Sequence, residues 1–159
     1  MTRAMRREDF SFIFGLYMHP AVNPFLLYEM MGETAFTPIF EDLLAKEIIY
    51  VYESDGVPAG MFKLLPLAHR TSHIVYLGGL AVDPSQAGKG HGKQLVQEII
   101  DLCKAKGFLR IELSVATVNE KAIRLYEQAG FQREGVLRNY TWLKSEGRFL
   151  DEVMMSYLF

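Results

Sequence analysis

From Val82 to Leu95 the chain reads VDPSQAGKGHGKQL, with glycines alternating at Gly88, Gly90 and Gly92 and lysines at Lys89 and Lys93. Alternating glycines weaken a helix or strand interior, so this stretch must be a loop. The run before it, SHIVYLGGLAVD, is β-branched and apolar and reads as a strand, interrupted by Gly78-Gly79. After it, Leu95, Ile99, Leu102 and Cys103 recur at helical spacing, widened by Val96 and Ile100, and Gly107 ends the helix. Any fold for this chain must therefore hold a strand, a glycine loop and a helix in succession. A helix N-terminus offers unpaired N–H groups and a partial positive charge, and glycines let an anion approach the backbone. The junction suits a phosphate.

The other elements follow from periodicity and punctuation. Residues 2–6 suggest a short first strand. REDFSFIFGLYM spaces Phe10, Ile13, Phe14 and Tyr17 as a helix, with Glu8 and Asp9 near its start. TPIFEDLLAKE predicts a second helix, with Thr37 as cap and Pro38 in the first turn. IIYVYE and PAGMFKLLPL are strands joined by the turn Asp55-Gly56. FLRIELSVA is a strand. NEKAIRLYEQAGF is a helix capped by Asn119 and stopped by Gly130. GVLRNYTWL and RFLDEVMMSYLF close the chain as a hairpin. The order β-α-α-β-β-β-α-β-α-β-β predicts an α/β (α+β) fold with a mixed sheet, and no linker or repeat divides it. One domain over 1–159 is expected.

Composition narrows the classes. The 159 residues are 50% hydrophobic and 13% aromatic, which suits a folded core. Seventeen basic against 19 acidic residues, a formal charge of −2, argue against a nucleic-acid partner. No run approaches the roughly 18 apolar residues of a membrane span, and MTRAMRREDF lacks the apolar centre of a signal peptide, so a cytoplasmic protein without a membrane partner is expected. Cys103 is the sole cysteine. Its place on an apolar helix face reads as core.

Two common phosphate loops fail here on single residues. G-x-x-x-x-G-K-[ST] would need Gly at Ala87 and a hydroxyl at Gln94. G-x-G-x-x-G would need its last glycine one residue after Gly92, and its acid, Glu112, should end a strand that instead continues through Leu113-Ser114-Val115.

GLAVDPSQAGKGHGKQLVQEI resembles the acyl-CoA-binding segment of the GNAT (GCN5-related) N-acetyltransferases, and NEKAIRLYEQAGF resembles the family's following N-x-x-A-x-x-L-Y-x-x-x-G-F. The likeness is good from Tyr76 to the C-terminus and looser before it. One departure stands out: the family loop reads [QR]-x-x-G-x-[GA], and Ala87 occupies the [QR] position, with Gln86 one residue early. The resemblance implies a mostly antiparallel central sheet with splayed central strands and helices on both faces. It implies acetyl-CoA as co-substrate, no metal, and transfer of the acetyl group to a primary amine by direct attack. A non-catalytic acyl-CoA-binding domain is the alternative. Leu80, Ala81 and Val82 would face the pantetheine arm. Backbone N–H groups of Gly88, Lys89, Gly90, His91, Gly92 and Lys93 would hold the pyrophosphate. Asn119 and Tyr126 match further cofactor-contacting positions.

For the chemistry, the resemblance makes Tyr126 the acid that protonates the departing thiolate, and a backbone N–H at Leu80 or Val82 the oxyanion donor. The position of the family's occasional base is Ser114. Glu112, two residues earlier on the same strand face, is the candidate base, competing with an ion pair to Arg110. His73 and Tyr76 are further candidates. The acceptor side would draw on Phe25, Tyr28, Met30, Met31, Phe36, Tyr140 and Trp142, with Glu29, Glu33 and Glu41 as acids that attract a cation. Glu134-Gly135, Arg138 and Gly147 to Asp151 reproduce an architectural pattern of relatives acting on protein N-termini, polyamines, amino acids or small amines. A peptide or small-molecule amine is the expected partner, and a homodimer the expected assembly if this chain follows many relatives.

Overall fold

The computed structural model describes residues 1–159, and its elements come in the expected order: β1 (Thr2–Ala4), α1 (Phe10–Tyr17), α2 (Glu33–Lys46), β2 (Ile49–Ser54), β3 (Val57–Pro66), β4 (Ile74–Val82), α3 (His91–Ala105), β5 (Arg110–Ala116), α4 (Glu120–Gln128), β6 (Gln132–Leu143) and β7 (Arg148–Leu158). The strand order is β1-β2-β3-β4-β5-β7-β6. The pairs β1/β2, β2/β3, β5/β7 and β6/β7 are antiparallel, and β4/β5 is parallel. This is a mixed α/β fold with a seven-stranded, mostly antiparallel sheet. The chain divides into two units, residues 1–64 with 79–91 and residues 65–78 with 92–159, so β4 is shared between them at Gly78/Gly79.

In the first unit, Asp55 and Gly56 both take positive φ (53° and 75°), which turns β2 into β3. One face of these strands carries Ile49, Val51 and Met61, which join α1 and α2 in a buried cluster with Ile13, Leu16, Tyr17, Phe36, Phe40 and Leu43. Aromatic contacts knit the helices: Phe10 meets Phe40 edge-on at 5.0 Å, and Phe14 lies 5.5 Å from Phe36. Here the sequence expectation needs correction. α2 begins at Glu33, one turn before Thr37, with Gly32 at its cap and Pro38 inside it. Phe36 N–H already bonds Gly32 O at 3.1 Å. The Thr37 hydroxyl donates back to Glu33 O at 2.8 Å, so it serves the helix it was expected to start. Burial of Phe36 in step with Phe40 and Leu43 favours the earlier start. The N-terminus is clamped by Arg3, which binds both carboxylate oxygens of Asp9 at 2.8 Å and Glu53 at 2.6 Å.

In the second unit, β5 pairs with β7 from Arg110↔Leu158 to Ala116↔Glu152. Its parallel ladder with β4 covers Ile74–Tyr76, after which β5 continues along β7 alone within this unit. α3 buries Leu95, Val96, Ile99, Ile100 and Cys103. α4 buries Ile123 and Tyr126. The β6/β7 hairpin slips register between Leu137 and Thr141, where Asn139 adopts φ 50°. Asp151 Oδ1 accepts the Asn139 N–H at 2.8 Å and pins this bulge. That gives the Asp of the closing motif a structural task.

Candidate functional site

In the first unit the glycine loop leaves β4 with its early backbone groups satisfied. Asp83 N–H bonds Ala59 O at 2.8 Å, Gln86 N–H bonds Asp83 O at 2.8 Å, and Ala87 N–H bonds Pro84 O at 3.2 Å. Asp83 Oδ1 accepts from Ser85 N–H at 2.9 Å. From Gly88 to Gly90 the pattern stops, and these N–H groups take no acceptor from the protein. Gly88 and Gly90 both sit at φ 80°, and a Cβ on either would meet nothing within 4 Å. The loop is thus an exposed row of free donors in a left-handed turn, which is what an anion needs.

Its side chains contribute less than its backbone. Lys89 Nζ donates to Gln86 Oε1 at 2.9 Å. The His91 ring turns inward, with Nδ1 3.3 Å from the Tyr52 hydroxyl and the rings meeting edge-on at 5.8 Å. His91 therefore has only its backbone to offer a ligand. On β4, Leu80 and Val82 are half-buried, and Ala81 packs into the α1/α2 cluster.

In the second unit, Gly92 is the place where α3 meets α4: a Cβ there would lie 3.2 Å from Leu125 Cδ2. Lys93 is exposed. Asn119 caps α4, its Oδ1 accepting from Ala122 N–H at 3.3 Å. Tyr126 is 7% exposed, and its ring lies 5.7 Å from Phe131. Its hydroxyl has no hydrogen-bond partner in the protein. Burial, and next the nearby Tyr76, push its ionisation above the ordinary tyrosine range, so it stays protonated at neutral pH. Tyr76 pairs in register with Glu112, and its hydroxyl lies 2.9 Å from Ser114 Oγ.

Glu112 is occupied. Arg110 Nε donates to its Oε1 at 2.9 Å, and the same guanidinium grips both oxygens of Glu134 at 3.0 and 2.6 Å. Ser156 donates to Glu134 at 2.9 Å. Arg110 and then Ser156 hold the Glu134 carboxyl below its usual range. This network ties β5, β6 and β7 together, so Glu112 has a structural partner before any amine arrives. His73 is exposed at the start of β4. Cys103 is fully buried, and burial pushes its thiol up to about 11, so it is not a thiolate at neutral pH. No group of three or more His, Cys, Asp or Glu is placed to hold a metal ion. No helix is long and apolar enough to cross a membrane.

The residues expected on the acceptor side scatter. Phe36 is core, Tyr28 and Met31 pack against the core, and Phe25, Met30, Tyr140 and Trp142 are exposed. Glu41 is paired with Arg7. Two residues with polar ends did not figure among the candidate site residues: Tyr17, read only as part of a helix face, and Lys63, both buried in the first unit. Lys63 carried a signal: it alternates with Ala59 and Met61 in an otherwise apolar run.

Residues 23–131 match the model of the acetyltransferase (GNAT) family. A mycothiol acetyltransferase of Beutenbergia cavernae is 32% identical over 128 residues, 77% of this chain and 39% of that protein. The [ribosomal protein bS18]-alanine N-acetyltransferase of Escherichia coli is 38% identical over 80 residues, 50% of this chain and 53% of that protein. This chain thus spans well under two thirds of the length of these curated relatives. Among solved structures, a Vibrio cholerae spermidine N-acetyltransferase in complex with CoA and spermine superposes with a TM-score of 0.85 at 22% identity, covering 99% of this chain and 94% of that one. The chain belongs to the GNAT acetyltransferase family.

Proposed function

We propose that residues 1–159 form one acetyltransferase domain that moves the acetyl group of acetyl-CoA to a primary amine. The observation that carries this reading is the loop: free N–H groups from Gly88 to Gly90, in a left-handed turn that leaves room where side chains would stand. Such a cradle fits a pyrophosphate, and Lys89 adds charge beside it. Acetyl-CoA supplies the thioester on which the reaction depends.

The chain's own residues take these parts. Gly88 to Lys93 hold the pyrophosphate chiefly by backbone, which asks nothing of the side chain at Ala87. Leu80, Ala81 and Val82 orient the arm, and an N–H at Leu80 or Val82 steadies the carbonyl oxygen as charge develops. Asn119 adds a polar contact while capping α4. As the amine nitrogen bonds the carbonyl carbon and the C–S bond breaks, Tyr126 gives its proton to the sulfur. Glu112 was expected as base, but its pairing with Arg110 favours a positioning role, with the amine proton passing to solvent.

Release of free thiol from acetyl-CoA, measured across a panel of polyamines, amino acids, peptide N-termini and small amines, tests the reading. Thiol release dependent on at least one amine supports it. Binding of acetyl-CoA without release on any amine would instead mark an acyl-CoA-binding domain.

A further inference from the structure

On the α1/α2 face of the first unit, the apolar rows of the sheet end in a polar site. β3 runs Ala59, Met61, Lys63 on this face, and β2 sets Ile49 opposite Lys63 in register. On β4, Ala81 belongs to the same cluster, and Gly79 two residues earlier continues its row. Gly79 is left-handed (φ 56°), and a Cβ there would lie 3.4 Å from the Tyr17 hydroxyl and 3.7 Å from Lys63 Cβ. The glycine therefore keeps the backbone bare of a side chain between a buried tyrosine and a buried lysine.

The tyrosine lacks a hydrogen-bond partner and the lysine lacks a counter-ion. The Tyr17 hydroxyl, on a residue 1% exposed, has no hydrogen-bond partner. Lys63, 8% exposed, makes no ion pair or hydrogen bond. Lys46, whose charge acts on Lys63, carries the same sign and is itself paired with Asp42 at 2.7 Å. A buried hydroxyl without a partner costs stability, and so does a largely desolvated ammonium without a counter-ion; a ligand that supplied acceptors to both would remove that cost.

We propose that Lys63 and Tyr17 seat a carboxylate carried by the amine acceptor, making an amino-acid-like compound the preferred substrate class. The proposal rests on the acetyltransferase reading above. One positive charge and one hydroxyl donor, on side chains that flank the same glycine, match a carboxylate with its single charge and two oxygens; a phosphate would keep an uncompensated charge. The location also fits. Gly79 immediately precedes Leu80–Val82, the strand assigned to the thioester arm, so an acceptor held here by its carboxylate has its amine close to that strand. Burial, and then Lys46, hold the Lys63 ammonium below the ordinary lysine range, and a bound carboxylate would restore its charge. Burial, and then Tyr28, keep Tyr17 protonated and a donor.

The test is binding, in the presence of CoA, of the common L-amino acids, each beside its own carboxamide. Wild type is expected to bind at least one acid 10-fold or more tightly than its amide. Lys63→Met, which keeps length and suits the apolar row, should erase that preference, and Tyr17→Phe should reduce it, both with CoA affinity unchanged. No acid preferred over its amide, or a preference that survives Lys63→Met, overturns the proposal. Thiol release is measured separately. Acid preference without turnover on any acceptor would overturn the acetyltransferase reading and leave the site standing. Turnover confined to amines without a carboxylate would do the reverse.

Discussion

Gly90→Ala isolates the backbone of the loop from everything around it. Gly90 sits at φ 80°, and an added Cβ would meet nothing within 4 Å. Sterics therefore contribute nothing, and the cost is that of holding an L-residue left-handed, about 1–2 kcal/mol. The loop is exposed and unpartnered from Gly88 on, so an alanine there can relax into an ordinary conformation in the free protein. The penalty then falls on the bound state, and CoA affinity should drop about 5- to 30-fold with little change in melting temperature. Gly92→Ala is the control. Gly92 is not left-handed, and its new methyl would touch only the mobile end of Leu125 at 3.2 Å. CoA should bind it as it binds wild type. Titration calorimetry with CoA and thermal melts on the three proteins decide the matter. Unchanged CoA affinity in Gly90→Ala would refute a backbone cradle, whatever the melt shows.

Two further outcomes follow from the ion networks. Asp9→Asn keeps the contact to Arg6 N–H and leaves Arg3 its pair with Glu53, but removes the charge from a bidentate bond at an Asp9 only 4% exposed, and should cost about 2–3 kcal/mol in urea unfolding at pH 7. Burial raises the Asp9 carboxyl, but Arg3 and the Arg6 N–H outweigh it and hold the net value below 3.8. A group lowered in the folded state stabilises above its unfolded value, so the gap between wild type and variant should persist above about pH 4 and close as the pH falls further; a gap that widens on acidification contradicts the sign. Glu112→Gln should melt earlier, having lost an ion pair 22% exposed on the Glu side, while kcat falls no more than a few-fold. A loss of 100-fold or more at an unchanged fold would make Glu112 the base.

The order of all eleven helices and strands was legible because each is local: turn residues such as Asp55-Gly56 and Asn119 sit where their geometry is required. The start of α2 was not, since Thr37-Pro38 imitates a helix start and the true cap, Gly32, carries no side chain to announce it. Strand alternation put Glu112 and Ser114 on one face, but only the sheet order brings Glu134 to Arg110 and so occupies Glu112. The loop could be read because its glycines are consecutive in the chain. The Tyr17–Lys63–Gly79 site could not, because it joins a helix to two strands through packing; the alternation of Lys63 with Ala59 and Met61 gives its face but not its neighbours.

The most direct test of the account is thiol release by Tyr126→Phe beside wild type, with the best acceptor of the amine panel. The ring is buried against Phe131, and removing an unpartnered hydroxyl leaves that packing intact. CoA affinity and melting temperature should match wild type, while kcat falls about 100-fold or more, the usual weight of a general acid. Turnover equal to wild type would contradict the assignment of Tyr126 as the group that protonates the leaving thiolate.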